Sequence, residues 1–372
     1  MNIWKDISWI IFLIIIAKVV AIIILALTRQ PMLDIIESNP EIGKAYPYTA
    51  RLIDEFRNPI LYALGNHFDS QHYLDIARYG YSEERLYAFP PIYPLLIRFF
   101  STATGLGYIL TGILISNIFS IVSVILFYRI ALIYLDGKSS KIASLSFAFF
   151  PTNFAYGTVA YAEQIFLTLT LASWLFFAGK KYFWSGIFIM LSSLVRYPGV
   201  LLYVIMSGIY LLRNKEDAKI DKLIAMNISA LVIICWFLVL HFNNTSPIEM
   251  QEKYGGNRLQ YPLASIFFLV SLKHVYFPLI FFCFISFIVL GFFAKRISPE
   301  LSLYSLLFVL FYGSTTGVPA ESSMRYLGTV WPVYLYLSRE VKRDLVVYLV
   351  LYLFYILSIV ILLLHSSWIF IT

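Results

Sequence analysis

Residues 66–94 read NHFDSQHYLDIARYGYSEERLYAFPPIYP. This is the one long polar segment with clustered acids, histidines and aromatics, and nearly everything downstream of it is apolar. Asp69, His72 and Tyr73 fall at i, i+3 and i+4, one face of a helix if residues 70–79 are helical. Asp75 points elsewhere, and Gly80 offers a stop. The element that follows, Phe89-Pro90-Pro91-Ile92-Tyr93-Pro94, predicts a break in any helix and a stiff turn leading back to the membrane. A short acidic helix and an aromatic–proline turn, set between apolar spans, are the parts expected of a site at a membrane surface.

The remainder of the chain supplies that membrane. Of its 372 residues 60% are hydrophobic, and the mean hydropathy is +0.78, which excludes a soluble globular protein. Apolar runs near the ~20 residues needed to cross a bilayer recur along the chain, so it is polytopic. The runs are continuous rather than alternating, which predicts an all-α architecture and not a barrel. The net charge of +7 sits in short loops between spans, where basic residues orient a chain; no nucleic-acid partner is expected. Cys235 and Cys283 both lie in apolar runs and are expected to be buried free thiols. The first run, 7–27, is too long for a signal-peptide core and lacks a small-residue cleavage site, so it reads as a retained first span. Lys18 inside it marks either a functional site or a cation paired within the bundle.

One integral-membrane domain over 1–372 is expected, with residues 28–105 as a first extracytoplasmic loop. Within that loop 31–54 is amphipathic, broken by Pro40 and Pro47, and suited to lie on the membrane surface; 95–100 reads as interfacial. Spans are expected at 107–135 and up to Pro151, followed by a polar turn at 152–163 and a span ending at Gly179. Two short apolar runs, 183–195 and 199–212, are separated by Arg196-Tyr197-Pro198 and form either two short spans or a re-entrant pair. Polar loops follow at 242–262 and 313–325, with later spans at 275–294, 301–312, 326–337 and 345–364. Placing the N-terminus in the cytoplasm puts Lys138/Lys141, Lys180/Lys181, the 213–222 cluster, Lys295/Arg296 and Arg339/Lys342/Arg343 on the same side, in agreement with about eleven spans. No internal repeat is evident, unlike many secondary transporters.

An external pocket with carboxylates, arginines and aromatic rings suits sugar transfer from a lipid phosphate. A positioned Asp takes the proton of the attacking hydroxyl, Arg meets the charge of the leaving phosphate, and aromatic faces pack on sugar rings. Here a family resemblance enters. Residues 68–81, FDSQHYLDIARYGY, resemble the signature of the PIG-V type mannosyltransferases, an aromatic followed by D-x-x-H, a second aromatic and x-x-I-A-x-x-G-Y. Those enzymes add the second mannose in glycosylphosphatidylinositol assembly, and prokaryotic relatives are known. Ala88 to Pro94 is similar to the family's aromatic–proline turn, Phe150-Pro151 through Tyr161-Ala162-Glu163 to its F-P…Y-S-E segment, and Leu194-Val195-Arg196-Tyr197-Pro198-Gly199 to its V-R-x-x-G element. Ser323-Met324-Arg325-Tyr326 is similar to a late R-aromatic motif. Phe68 stands where Trp is commoner, and Ala162 where Ser is. The resemblance implies a GT-C fold, a polyprenyl-phosphate mannose donor, a lipid-linked or surface glycan (or glycolipid) acceptor, inversion at the sugar, and a cell membrane location in a prokaryote or the endoplasmic reticulum in a eukaryote.

Asp69 is the expected general base, its alternative being an N-cap for the following helix, with Glu163 as the second catalytic carboxylate. Glu163 opens a helix, where a carboxylate is also explained by the helix dipole. His72, Arg196, Arg325 and Tyr73 are expected to bind substrate. The alternatives are a structural hydrogen bond from His72 to Asp69 and an interfacial anchor role for Arg325. Arg196 interrupts an apolar run, where an unpaired charge would be expensive. His67, Asp69 and His72 are metal-ligand types, but no further external His or Cys clusters with them, and no metal or cofactor is expected. Asp75, Arg78 and Arg258 read as solvated. A transporter or flippase for a lipid-linked substrate, or a non-catalytic subunit, are the other functional classes.

Overall fold

The computed structural model describes residues 3–37, 59–214, 219–242, 246, 249–250, 252–253, 258–271, 277–316, 323–341 and 343–366. Most of the amphipathic 31–54 segment and much of the 242–262 loop, including Gly255-Gly256, lie outside the described residues. Helices account for nearly all regular structure; the strands among the described residues are two short antiparallel pieces, Arg258–Leu259 against Thr315–Thr316.

The first helix, Ile3–Glu37, continues well past the expected end of span one. Its buried positions are Ile7, Ile10, Ile14, Lys18, Ala21 and Leu25, whereas Phe12, Ile15, Ile16, Val19, Ile23 and Leu27 are exposed. Spacings of three and four place the buried set on one stripe facing the bundle, and the exposed apolar remainder is what lipid solvates. Among the described residues three helices are long and apolar enough to cross a bilayer: Ile3–Thr28, Tyr108–Tyr134 and Asp344–His365. A fourth candidate is the pair Ile220–Asn227 and Ala230–Phe242, bent by 42°.

Other apolar helices are shorter than the expected spans. Gly137–Phe149 starts on the Asp136 side chain, which accepts from the amides of Lys138 and Ser139, and ends where Phe150-Pro151 opens the six-residue helix Pro151–Tyr156. Glu163–Ala178, Tyr182–Val195, Tyr197–Arg213 and Pro299–Gly313 also fall short of a crossing length, since an α-helix rises ~1.5 Å per residue and the hydrocarbon core is ~30 Å thick. Residues 151–174 are buried without exception. The expected polar turn at 152–163 is therefore part of the core. The break at Arg196 is present: a single turn of 3-10 helix, Tyr197–Val200, separates Tyr182–Val195 from Leu201–Arg213.

Two further expectations need correction. Pro94 does not stop a helix; it lies in the first turn of Ile92–Thr104, where its missing N–H has no intrahelical partner to lose. Cys235 is exposed and Cys283 partly buried, and both are free.

Candidate active site

The polar stretch forms the helix Asp69–Tyr79, with Gly80 at its end in a positive-φ conformation of 72°. Phe68 precedes it at φ 52°, a region L-residues seldom occupy. Asp69 is the first helical residue and no side chain caps this helix, so the capping alternative does not describe it. Its carboxylate turns to Arg325 instead, with Nη1 donating to Oδ2 at 3.0 Å. The Arg325 side chain is 4% exposed and that of Asp69 27%, so the pair has a buried cationic end and an accessible anionic end. Arg325 Nε lies 3.2 Å from Glu163 Oε1, a charge contact without hydrogen-bond alignment. The same Oε1 accepts a hydrogen bond from Arg196 Nη1. One carboxylate oxygen thus sits between two guanidinium groups, while Oε2 is buried with no hydrogen-bond partner. The Tyr326 ring completes the cluster, 4.7 Å from the Arg196 guanidinium carbon and 4.9 Å from that of Arg325. Tyr326 Oη accepts from Arg325 Nη2 at 3.0 Å. Tyr156 and Tyr161 stack around the same guanidinium at 5.3 and 5.4 Å. Cation–π contacts of this kind offset part of the desolvation of a buried arginine.

The segment leading into Glu163 is held by a polar stripe on the long helix Tyr108–Tyr134. Ser116 Oγ donates to the Tyr161 carbonyl at 2.7 Å and accepts from its amide at 3.1 Å. Asn117 Nδ2 donates to the Thr158 carbonyl, and Ser123 Oγ to Gln164 Oε1. Lys18 joins this stripe from the first helix. Its Nζ donates to Asn117 Oδ1 at 2.9 Å, Ser120 Oγ at 3.0 Å and the Gly157 carbonyl at 2.7 Å. The lysine is thus paired within the bundle. Gly157 has no room for a side chain: a Cβ there would meet Asn153 O at 2.7 Å and Ser120 Oγ at 2.9 Å.

A second charged cluster flanks the helix. Arg85 Nη1 is 2.8 Å from His72 Nδ1, and Arg85 also pairs with Asp75 at 3.4 Å and Glu83 at 2.7 Å. Asp75 is therefore an ion-pair partner and not a solvated side chain. His72 bonds Arg85 rather than Asp69. Burial pushes the His72 imidazole down to about 4, with Arg85 adding to the effect and Asp69 and Glu83 opposing it. Because guanidinium only donates, Nδ1 must be the acceptor and Nε2 carries the hydrogen. Tyr73 is buried, its ring edge-on to Phe89 and Tyr93, and burial, with Asp69 and Glu163, holds its phenol well above the usual range. Arg78 is not simply solvated; it lies over the Tyr108 ring at 5.3 Å. Among the described residues no group of three His, Cys, Asp or Glu side chains is placed to hold a metal ion.

Residues 7–243 match the family model described as Mannosyltransferase (PIG-V). The chain belongs to this family. The match ends before Arg325, so the PIG-V mannosyltransferase model covers Asp69, Glu163 and Arg196 but not the arginine that joins two of them. No curated protein matches the sequence significantly. Among solved structures, ArnT from Cupriavidus metallidurans bound to undecaprenyl phosphate is similar with a TM-score of 0.55 at 11% identity, over 80% of this chain and 61% of that one. The apo state of the same protein gives 0.52 at 13% identity, over 79% and 59%. This PIG-V family member thus spans about three-fifths of the length of the structures it resembles, and the likeness is one of fold, the GT-C arrangement. With its long apolar helices it is an integral membrane protein.

For a PIG-V family member the arrangement has a clear chemical sense. Asp69, Glu163, Arg196 and Arg325 come from four separate elements into one alternating chain of charges. His72 and Tyr73 stand beside that chain without hydrogen-bonding to it. Arg85, Tyr156, Tyr161 and Tyr326 are not among the expected site residues; Tyr161 and Tyr326 belong to the motifs that carry Glu163 and Arg325, which is the signal that points to them.

Proposed function

We propose that the chain is a membrane glycosyltransferase that moves a hexose, mannose, from a polyprenyl-phosphate donor to a hydroxyl of a lipid-linked or surface glycan. The site would face the extracytoplasmic side, within the 28–105 loop and the elements packed on it. The observation that carries this reading is the Asp69–Arg325 pair, an accessible carboxylate fixed in place by a buried guanidinium. The acceptor oxygen forms a bond to the anomeric carbon as the bond from that carbon to the phosphate oxygen breaks. The proton passes to Asp69, and the electron pair leaves with the lipid phosphate. Attack opposite the leaving group inverts the sugar. Arg196 and Arg325 meet the phosphate charge with planar forks suited to phosphate oxygens, and Glu163 holds the two guanidiniums together before the donor arrives. His72 presents Nε2–H beside Asp69, and Tyr73 backs the helix that carries both. The undecaprenyl phosphate bound by the ArnT structure supports a polyprenyl-phosphate donor. No step requires a cofactor.

The test is a transfer assay on the purified chain alone, with polyprenyl-phosphate mannose and a mannose-free glycolipid acceptor, and with glucose and galactose donors in parallel. Mannosylated product with inverted anomeric configuration is expected. No transfer from any of these donors would overturn the reading and favour a subunit that acts only within a larger assembly. A transport role would call for polar groups free to meet a substrate within the membrane, whereas Lys18 donates to three acceptors of the protein.

A further inference from the structure

The final helix, Asp344–Ser366, delivers His365 into the site from outside the segment matched by the family model. Its ring is 4% exposed. It lies 5.6 Å from His67 and 5.3 Å from Phe68, the two residues just before Asp69. On its other side it lies 5.9 Å from Tyr156 and 5.4 Å from Tyr161, the rings that surround the Arg325 guanidinium. His365 therefore bridges the Asp69 side of the site and the Arg325 side.

Its chemistry does not match its surroundings. A position enclosed by aromatic rings at the end of an apolar helix would suit Phe, whereas His365 places a polar nitrogen there. Nε2 is buried and has no hydrogen-bond partner among the described residues. Unsatisfied buried polar atoms are costly and uncommon in native structures. Glu163, whose Oε1 lies against the Arg325 guanidinium that the same tyrosines surround, has its Oε2 in the same state. His365 meets the Tyr156 and Tyr161 rings, Glu163 meets the guanidinium those rings surround, and a polar ligand held at that cluster would give His365 Nε2 the partner it lacks. The guanidiniums of Arg196 and Arg325 already provide for phosphate, and aromatic walls with neutral hydrogen-bonding groups between them are what a sugar ring packs against.

We infer that His365 is a substrate-binding residue whose Nε2 hydrogen-bonds a hydroxyl of the transferred hexose. The inference rests on the glycosyltransferase reading above and adds a sugar contact from the C-terminal helix.

The variant His365→Phe keeps the ring and its packing and removes the nitrogen. Three quantities are measured on the purified protein: melting temperature without ligand, stabilisation by polyprenyl-phosphate mannose against polyprenyl phosphate alone, and the KM for the donor. The expected result is a melting temperature equal to or above that of the wild type, because an unsatisfied polar atom is gone. Stabilisation by bare polyprenyl phosphate should be unchanged, while that by the mannosyl donor is reduced and KM rises about tenfold. His365→Gln, which can restore a hydrogen-bonding group, should recover part of the KM. If His365→Phe does not fold, His365→Leu takes its place with the same readouts. A wild-type KM in the Phe or Leu variant overturns the inference. So does equal loss of binding to both lipids, which would make the contact a phosphate contact. A wild type that neither transfers nor binds the mannosyl lipid instead defeats the glycosyltransferase reading itself, a different outcome from an active wild type with an equally active His365→Phe.

Discussion

Asp69 Oδ2 accepts a hydrogen bond from Arg325 Nη1 at 3.0 Å, although 256 residues separate them in the chain. The pair fixes which way the carboxylate faces and ties the helix Asp69–Tyr79 to the short helix Ser323–Leu327. Replacing Asp69 by Asn keeps the shape and an oxygen for Arg325 but removes the carboxylate proposed to accept the proton. Turnover should fall by ~10²–10⁴-fold, the usual cost of losing a general base, with donor binding nearly unchanged. Asp75→Asn, which touches only the Arg85 cluster, should be mild by comparison. A fully active Asp69→Asn protein would move the search for a base to Glu163.

Arg325 is the buried hub of the charge chain, and its loss should be felt in stability as well as rate. Arg325→Ala leaves Glu163 with one cation and Asp69 with none. Breaking a buried pair from one side costs on the order of 3–5 kcal/mol, so a marked drop in melting temperature is expected in detergent or nanodiscs. Arg325→Lys should recover only part of it, because an ammonium cannot span Asp69, Glu163 and the Tyr326 hydroxyl at once. A variant Arg325→Ala with native melting temperature and native rate would remove this residue from the site.

Arg196 meets Glu163 and Tyr326 and no other carboxylate among the described contacts. Arg196→Ala should weaken donor binding far more than Arg98→Ala, whose side chain is exposed. Glu163→Gln should act through the arginines: with the anion gone the two guanidiniums repel, and both stability and donor affinity fall. Isothermal titration with polyprenyl phosphate compares the three variants directly. Equal affinity in wild type and Arg196→Ala would separate Arg196 from the phosphate.

His72 makes stability depend on pH. Its folded value of about 4 lies below the ordinary 6.5, so the unfolded chain binds its proton first. Stability is full above pH 6.5 and is lost as the pH falls towards 4, by up to about 3 kcal/mol. Melting curves from pH 7 to 4 should show a smaller decline in His72→Gln than in the wild type. Parallel curves for the two proteins would show that His72 is not held neutral by its surroundings.

The site was legible in the sequence where local rules apply. A 3.6-residue period and a terminal glycine predict a helix over 70–79, found as Asp69–Tyr79, and a lone arginine before a proline in an apolar run predicts the break at 196. Which partners those charges choose is a tertiary matter. Nothing in the local sequence says that Asp69 would turn to Arg325 and not cap its own helix, or that Arg85 would occupy His72. The same limit applies to the apolar runs: Glu163–Ala178 is buried over most of its length, and composition does not tell enclosure by protein from contact with lipid. Nothing local marks His365, because a single histidine at the end of a hydrophobic helix resembles an interfacial residue and only its ring neighbours distinguish it.

Lys18 has a consequence for how the molecule is made. The first helix enters the bilayer before Asn117, Ser120 and Gly157 have been synthesised, so the cation waits in the membrane without its acceptors. A lysine near the middle of a helix disfavours insertion by ~2.5–3.5 kcal/mol on translocon-based scales, and the apolar residues around it must outweigh that. Relief comes only when the helix Tyr108–Tyr134 and the bend after Tyr156 are in place. Docking of the first helix is therefore expected to complete late in biogenesis, with the ammonium and its three acceptors setting the register. A chain carrying Lys18→Leu should insert more readily yet assemble with less fidelity, separating the efficiency of membrane entry from the correctness of the packed product.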